Sequence, residues 1–381
     1  MITWRNQRGK DLISSLGQSD LPKIEVTFAA LSLIGASPEK HEVDIAMDSA
    51  TKQHQSRILR AVKRRFLRAQ YAWAMKFFSK QPRSTVFCWN GTKGYRFLLM
   101  QAAKRTGHYT IYLEDCPLPE RVSVDKKGIN FGNSLPRDKR FFEEWARQNS
   151  HLTGSWKVVR DQIRQRQALR QNMNTPSNKP EQDLSQAKYI FCPLQVPGDS
   201  QLTVYGGWCR TVEKTIRLLH DCSHLLPEGV QFRLKEHPSA KVKFTSLITD
   251  LQSDRFVLDN ATDTFELIKH SKGVVTVNSS VGLEALFFDK PVATLGKAFY
   301  GIDGITRQIS SVAGLGAWVN FLEHSATELG IKNAMLDYLI TVHFPRESAI
   351  LSGTFGLKEL KERDRLAELL MAKVNAASTG V

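Results

Sequence analysis

The sequence predicts an α/β chain folded as two domains, each a doubly wound parallel sheet, with a helix at the C-terminal end. Three observations carry this expectation. At roughly 150 residues per domain, 381 residues are enough for two hydrophobic cores. Short β-type runs alternate with helical patterns along most of the chain, as repeated βαβ units require. The alternation is interrupted at 171–186, where Pro176, Pro180 and a polar run read as a linker.

The elements follow in order. Ile24, Val26 and Phe28 alternate with polar neighbours and suggest a strand over 24–31. Val86-Phe87-Cys88-Trp89 forms an unbroken apolar run, a helical pattern covers 93–105, and a second apolar run covers 109–113. The second half repeats the rhythm with strands at 189–193, 231–235, 255–258, 273–277 and 291–295. Helical patterns at 208–225, 241–251, 264–270 and 280–288 separate them, and after Phe344-Pro345 a last helix is expected over 357–376. The expected divisions are residues 1–182, 183–345 and 346–381, with the final helix packing back on the first domain. Two such domains facing a cleft are a common scaffold for nucleotide-sugar chemistry, because ligands sit at the carboxyl ends of parallel strands.

Charge is the next signal. The formal charge is +15, and residues 51–100 hold twelve Lys and Arg with no Asp or Glu. Arg57, Arg60, Lys63, Arg64, Arg65 and Arg68 flank an apolar stripe at Ile58, Leu59, Val62, Phe66, Ala69, Trp73 and Phe77, a basic amphipathic helix. It suits either an anionic membrane surface or packing on its own domain with a solvated basic face. Nucleic acid is not an expected partner, since no zinc-finger, RNP-type or helix-turn-helix pattern accompanies the charge. No apolar run reaches the ~20 residues of a membrane span, and no secretory signal is visible at Met1-Ile2-Thr3-Trp4. Five scattered cysteines without a Cys-x-x-Cys pair fit a reducing cytosol. His220-x-x-x-His224 with Cys222 lacks a third ligand, so no metal site is expected.

Four segments carry chemistry. In Val277-Asn278-Ser279-Ser280-Val281-Gly282-Leu283-Glu284 a strand ends in a small polar cluster and a helix begins. Helix-end N–H groups with the Ser279 and Ser280 hydroxyls make an anion site, and Gly282 would let a phosphate approach. Glu284 would accept from ribose hydroxyls; a plain N-cap is the alternative. In Lys235-Glu236-His237-Pro238 a strand delivers Lys235 and His237 toward a phosphate or leaving group. Gln195-Val196-Pro197-Gly198-Asp199 places a carboxylate in a bent loop, either as a nucleophile or as a local turn. In the first half Glu114 and Asp115 close a strand just before Cys116-Pro117, and Trp89-Asn90-Gly91-Thr92-Lys93-Gly94 is another strand–turn–helix junction. Neither a G-x-G-x-x-G nor a Walker pattern is present.

Together these segments resemble the capsule polysaccharide biosynthesis family, the KpsS- and KpsC-like β-Kdo glycosyltransferases, with the chain length nearer the single-module type. The matching pieces are Gln195-x-x-x-Asp199 with Tyr205-Gly206-Gly207, Lys235-x-His237-Pro238, Asn278 to Ala285, Glu114 with its Pro-rich loop, and Asp125-x-x-Gly128-Ile129-Asn130. The resemblance implies a GT-B fold of two Rossmann-type domains and transfer of Kdo from CMP-β-Kdo with retention. It implies Asp199 as nucleophile, Glu114 as acceptor-side acid/base and His237 at the leaving group. Gln195, Lys235, His237, Pro238, Asn278, Ser279, Ser280, Gly282 and Glu284 would then hold CMP. No cofactor or metal is implied beyond the nucleotide-sugar donor. The implied partners are an anionic lipid or lipid-linked Kdo acceptor and other capsule assembly proteins. The implied location is the inner face of the cytoplasmic membrane. A CDP-glycerol glycerophosphotransferase or a non-catalytic basic membrane-binding protein are the alternatives.

Overall fold

The structure is a computed structural model that describes residues 7–17, 29–50, 56–173, 184, 187–322 and 328–379. The chain divides into two compact units, Met1–Pro136 with Val342–Ala376, and Arg137–Thr341 with Ala377–Val381. In chain order the first unit begins with α1 (Gln7–Leu16), α2 (Lys40–Asp48), α3 (Arg57–Ser79), β1 (Thr85–Trp89), α4 (Gly94–Arg105), β2 (Tyr109–Asp115) and β3 (Val122–Asp125). The second holds α5 (Lys139–Gln148), α6 (Trp156–Met173), β4 (Lys188–Pro193), α7 (Ser200–Tyr205), α8 (Val212–Ser223), β5 (Val230–Lys235), α9 (Thr245–Asp250) and β6 (Phe256–Leu258). It continues with α10 (Thr264–His270), β7 (Gly273–Thr276), α11 (Ser280–Phe287), β8 (Val292–Thr294), β9 (Arg307–Gln308), α12 (Val312–Asn320) and α13 (Leu329–Tyr338). The chain then returns to the first unit with α14 (Glu347–Leu351) and α15 (Leu357–Thr379).

The second unit is a six-stranded, all-parallel sheet in the order β6-β5-β4-β7-β8-β9. Counted along the chain this is 3-2-1-4-5-6, the doubly wound order in which winding reverses between the first and fourth strands. β4 lies at that reversal, and its residues from Tyr189 to Pro193 are buried, as expected of a central strand covered on both faces. Ile190, Cys192, Phe232, Leu234, Val275 and Ala293 join Ile216, Leu219 and Leu315 in one core.

In the first unit β1 and β2 pair in parallel, with Trp89 opposite Leu113, and β3 runs antiparallel to β2. The Cys116–Arg121 connection is too short for a crossover helix, so the chain can only fold straight back. β3 and β9 were not expected, because four- and two-residue strands leave almost no pattern to read. Of the strand expected at 24–31, residues 24–28 lie outside the described residues, and 29–31 carry no strand. Of the expected linker, 171–173 end α6, while 174–183 and 185–186 lie outside the described residues.

The boundary expected at 182/183 falls earlier, at 136/137. Residues 137–173 belong with the second unit because Phe141, Phe142 and Trp145 of α5 surround Tyr338 of α13 at ring distances of 5.1, 5.9 and 5.4 Å. Asp337 also accepts from the Gly154 and Trp156 amides at 2.9 and 2.7 Å. At the other end, Leu360 of α15 joins Leu12, Ile13, Ile111 and Val122 in the first unit's core. Arg363 donates to the Val124 and His343 carbonyls at 2.9 and 2.7 Å.

Candidate active site at the strand ends

Parallel strands present all their carboxyl ends on one edge, so the loops after β4, β5, β7 and β8 are neighbours. The ends of β4 and β7 flank the winding reversal, where an open α/β sheet leaves room for a ligand. Gln195 and Asn278 bridge these two ends. Gln195 Nε2 donates to Asn278 Oδ1 at 2.8 Å, and the Asn278 amide donates to Gln195 Oε1 at 3.3 Å. Asn278 Nδ2 also reaches the Gln201 carbonyl at 2.8 Å. Both side chains are buried, so the pair braces the loops and its polar atoms are turned on protein rather than outward.

Asp199 caps α7: its Oδ1 accepts from the Gln201 amide at 3.2 Å, and Gly198 before it takes φ of +75°. The turn reading of Pro-Gly-Asp is thus realised as an N-cap by this carboxylate. Asp199 is near enough to His237 to favour its protonation, but burial first and Lys243 second hold the imidazole below its ordinary pKa. His237 Nδ1 faces the Ser239 amide at 3.2 Å and hydroxyl at 2.9 Å. An Nδ1 that accepts from a backbone N–H leaves the proton on Nε2, so the neutral ring donates outward from Nε2.

Lys235, expected at a phosphate, is engaged within the protein. Its ammonium donates to the Asn260 and Thr262 carbonyls at 2.9 and 2.5 Å, and burial lowers its pKa. It belongs to a network that holds the loop ending in His237-Pro238. Arg233 pairs with Asp259 at 2.8 Å in the sheet, and Asp259 accepts from the Thr262 amide and hydroxyl. Glu236 accepts from the Phe244 amide, the Thr245 hydroxyl and Asn260 Nδ2 at 2.5, 2.7 and 2.9 Å. Burial pushes the Glu236 carboxyl up, but these three donors and Lys243 hold it below the usual range.

At the start of α11, Ser279 is the cap, its hydroxyl accepting from the Val281 amide at 3.2 Å, and the Ser280 side chain is exposed. Gly282 has a different reason from the one expected. A Cβ there would collide with the Tyr300 hydroxyl, so the glycine makes room for a buried ring rather than for a phosphate. Tyr300 Oη donates to the Ser279 carbonyl, and burial, with Glu284 nearby, raises its pKa well above normal. Gly296 is equally constrained, because a Cβ there would meet the Tyr205 carbonyl at 2.8 Å; the Tyr205-Gly206-Gly207 turn packs against the end of β8. Lys297 follows, exposed, with its amide on the Tyr205 carbonyl at 2.8 Å and its own carbonyl 3.5 Å from Asn278 Nδ2. Glu236, Tyr300 and Lys297 escaped the sequence reading; their only signal was proximity to His237-Pro238 and to the strand end at Leu295.

The first unit has a site of its own. Glu114, near the end of β2, accepts from Asn90 Nδ2 at 2.6 Å, Trp89 Nε1 at 3.2 Å and the Asp115 amide at 3.2 Å. Burial raises its pKa above the ordinary carboxylate value despite these bonds. It lines a cavity of about 730 Å³ with Asn90, Lys93, Lys63, Phe66 and Gln70. Asn90, at φ of +64°, makes the turn that brings the α4 start to this cavity. Asp125 is structural: buried, it collects the Lys127, Gly128 and Ser134 amides and so shapes the Gly128-Ile129-Asn130 turn. Among the described residues no group of three or more His, Cys, Asp or Glu side chains could hold a metal ion.

Residues 155–344, which include every strand of the second unit, match the family model described as capsule polysaccharide biosynthesis protein. Protein FixF of Sinorhizobium fredii is 29% identical, over 65% of this chain and 55% of its own length. The capsule polysaccharide export protein KpsS of Escherichia coli is 24% identical, over 58% of this chain and 65% of its own. The chain thus spans less than two thirds of the length of these curated relatives. Among solved structures, the β-Kdo 2,7 transferase of Thermosulfurimonas dismutans KpsC superposes with a TM-score of 0.42 and 16% identity, covering 83% of this chain and 96% of that one. With the family model spanning the whole parallel sheet and its strand-end loops, the chain belongs to the capsule polysaccharide biosynthesis family.

Proposed function

We propose that the chain is a retaining β-Kdo glycosyltransferase. It would take Kdo (3-deoxy-D-manno-oct-2-ulosonic acid) from CMP-β-Kdo and place it on a phosphatidylglycerol-type lipid or a short Kdo linker. The observation that carries the reading is the meeting of the Asp199 loop, the His237 loop and the α11 start at the winding reversal of the second unit's sheet. Family membership and the relatives' capsule-related names support it.

Retention follows from two displacements. The Asp199 carboxylate forms an ester bond to the anomeric carbon as the bond to the CMP phosphate oxygen breaks, and the electron pair leaves with CMP. The acceptor hydroxyl then attacks the same carbon, the ester breaks to free Asp199, and the hydroxyl proton passes to a base. The capping bond from the Gln201 amide fixes the carboxylate's direction. The departing phosphate would be met by His237 Nε2–H and the α11 N-terminal amides, with Lys297 on the same edge. Gln195, Asn278 and Lys235 hold the loops in place, and Glu284 is assigned to the ribose. Glu114 is assigned the acceptor proton, a role suited to a carboxyl whose pKa is raised toward the working pH.

The test is incubation with CMP-Kdo or CDP-glycerol, each with lipid and Kdo-linker acceptors, followed by mass spectrometry. CMP release with an acceptor gain of one Kdo is expected. Turnover of CDP-glycerol alone, or of neither donor, would overturn the assignment. Without acceptor, intact-protein mass spectrometry should show one Kdo bound at Asp199.

A further inference from the structure

The basic helix α3 behaves as two different helices end to end. From Leu67 onward it is core: Leu67, Tyr71, Ala74 and Phe78 pack with Val43, Met47, Leu98 and Leu99. Before Leu67 it has no comparable cover among the described residues. Ile58 is 75% and Val62 58% exposed, and Leu59 and Phe66 are exposed as well. At 3.6 residues per turn these four fall within an arc of about 100°. Arg57, Arg60, Arg65 and Arg68, all exposed, lie around the rest of the circumference, and Arg64 is held by Asp44 at 2.5 Å. The helix contains no acidic residue.

A second apolar element adjoins this stripe. The loop carrying Leu33 (95% exposed) and Ile34 (79%) is tied to α3 by the Ser32 amide on the Ala69 carbonyl at 3.0 Å and by Lys76 Nζ on Ser32 Oγ at 3.0 Å. Ala69 lies two turns beyond Val62, and Lys76 five turns beyond Ile58, so the loop is anchored along the same side of the helix. Large apolar side chains set in water beside arginines, without carboxylates on the same helix, match an anionic bilayer surface in both polarity and charge. No described helix is long and apolar enough to cross a membrane, so contact through this face would be interfacial.

We propose that the first three turns of α3, with the Leu33–Ile34 loop, form an interfacial membrane anchor that inserts among anionic lipid head groups. Phe66 and Lys63 belong both to this segment and to the wall of the Glu114 cavity. Docking would therefore bring the cavity mouth to head-group level, where a lipid-linked acceptor would enter without leaving the membrane. This last step rests on the transferase reading above; the anchor itself does not.

Co-sedimentation of the full chain with phosphatidylcholine vesicles, with and without phosphatidylglycerol, tests the anchor. Binding should require phosphatidylglycerol and weaken with salt. The pair Ile58→Asp with Val62→Asp, and separately Arg57→Glu with Arg60→Glu, should each lower the partition coefficient about tenfold or more. Both pairs lie on exposed turns, and an unchanged melting temperature would show that the fold survives. Equal vesicle binding by variants and parent would overturn the anchor. So would light scattering that shows a dimer dissociated by the apolar pair, since the face would then be a self-interface. CMP release with a soluble acceptor should be the same in all variants. A chain that docks but releases no CMP would keep the anchor and lose the transferase.

Discussion

Glu114 and Glu236 each close the carboxyl end of a parallel strand, one in each unit, and burial pushes both carboxyls toward the neutral form. They end on opposite sides of the ordinary value. Glu236 takes three donors at 2.5–2.9 Å, with Lys243 nearby, and its pKa falls. Glu114 has one short bond, from Asn90, two at 3.2 Å, and the Asp115 carboxylate beside it, and its pKa rises. Burial is the largest influence on both, and the sign follows from whether the donors outweigh it: they do at Glu236 and do not at Glu114. A carboxylate surrounded by short donors is a structural fastener. One with a raised pKa, opening on a cavity, has the properties that the proposed acceptor-side base requires.

The sharpest way to break this contrast is a third strand-end carboxylate, Asp199, which both caps a helix and is assigned the chemistry. Asp199→Asn keeps a good N-cap and should leave the melting temperature nearly unchanged, while transfer from CMP-Kdo falls by about 10³-fold or more. Retained activity would return Asp199 to the role of a turn. Glu114→Gln should reduce kcat/KM by about 10²-fold and remove the acid limb of its pH profile. In the parent that limb should lie above the ordinary glutamate value. If the profile keeps its limb, Glu114 is not the base.

The fastener should respond in stability instead. Glu236→Ala leaves the Phe244 amide, the Thr245 hydroxyl and Asn260 Nδ2 without their acceptor and should cost about 2–3 kcal/mol in denaturant unfolding. The pH dependences of the two glutamates should also have opposite signs. The Glu236 contribution is fully present above the unfolded glutamate pKa and is lost as pH falls through its lower folded value. Glu114 penalises the fold when ionised, and that penalty is relieved as pH falls through its raised folded value. Glu114→Gln should thus raise the melting temperature at neutral pH and lose that advantage in acid; thermal melts across pH would check it. The smallest expected effect is at Gly282. Gly282→Ala should cost about 1–2 kcal/mol from overpacking against Tyr300, and less in a Tyr300→Phe background, where the colliding hydroxyl is gone.

Much of this could be read beforehand where the signal was local. The buried runs of β4 and β7 announce themselves as apolar stretches, because a parallel strand covered on both faces has few polar positions. β5 alternates instead, and its Arg233 is buried only with Asp259 as partner. Ser279 before Val281 is a cap by composition, and Asp199 sits in a Pro-Gly-Asp turn. Lys235 and Gly282 show where such reading fails. A lysine at a strand end could equally serve a phosphate or two carbonyls, and only the position of the 260–262 loop selects the carbonyls. A glycine beside a serine pair could admit a ligand or a neighbouring ring, and only the path that returns Tyr300 to α11 selects the ring. The placement of α5 and α6 with the second unit was equally invisible, since it depends on Tyr338, almost two hundred residues further along.

The chain by itself determined its alternation of strands and helices, the loops in which its polar clusters fall, and the basic stripe of α3, because propensity, periodicity and charge act over a few residues. Strand order, the brace between Gln195 and Asn278, the opposite pKa shifts of two glutamates and the exposure of one half of α3 were decided only in three dimensions. Each depends on which distant groups share a neighbourhood, and that follows from how whole elements pack.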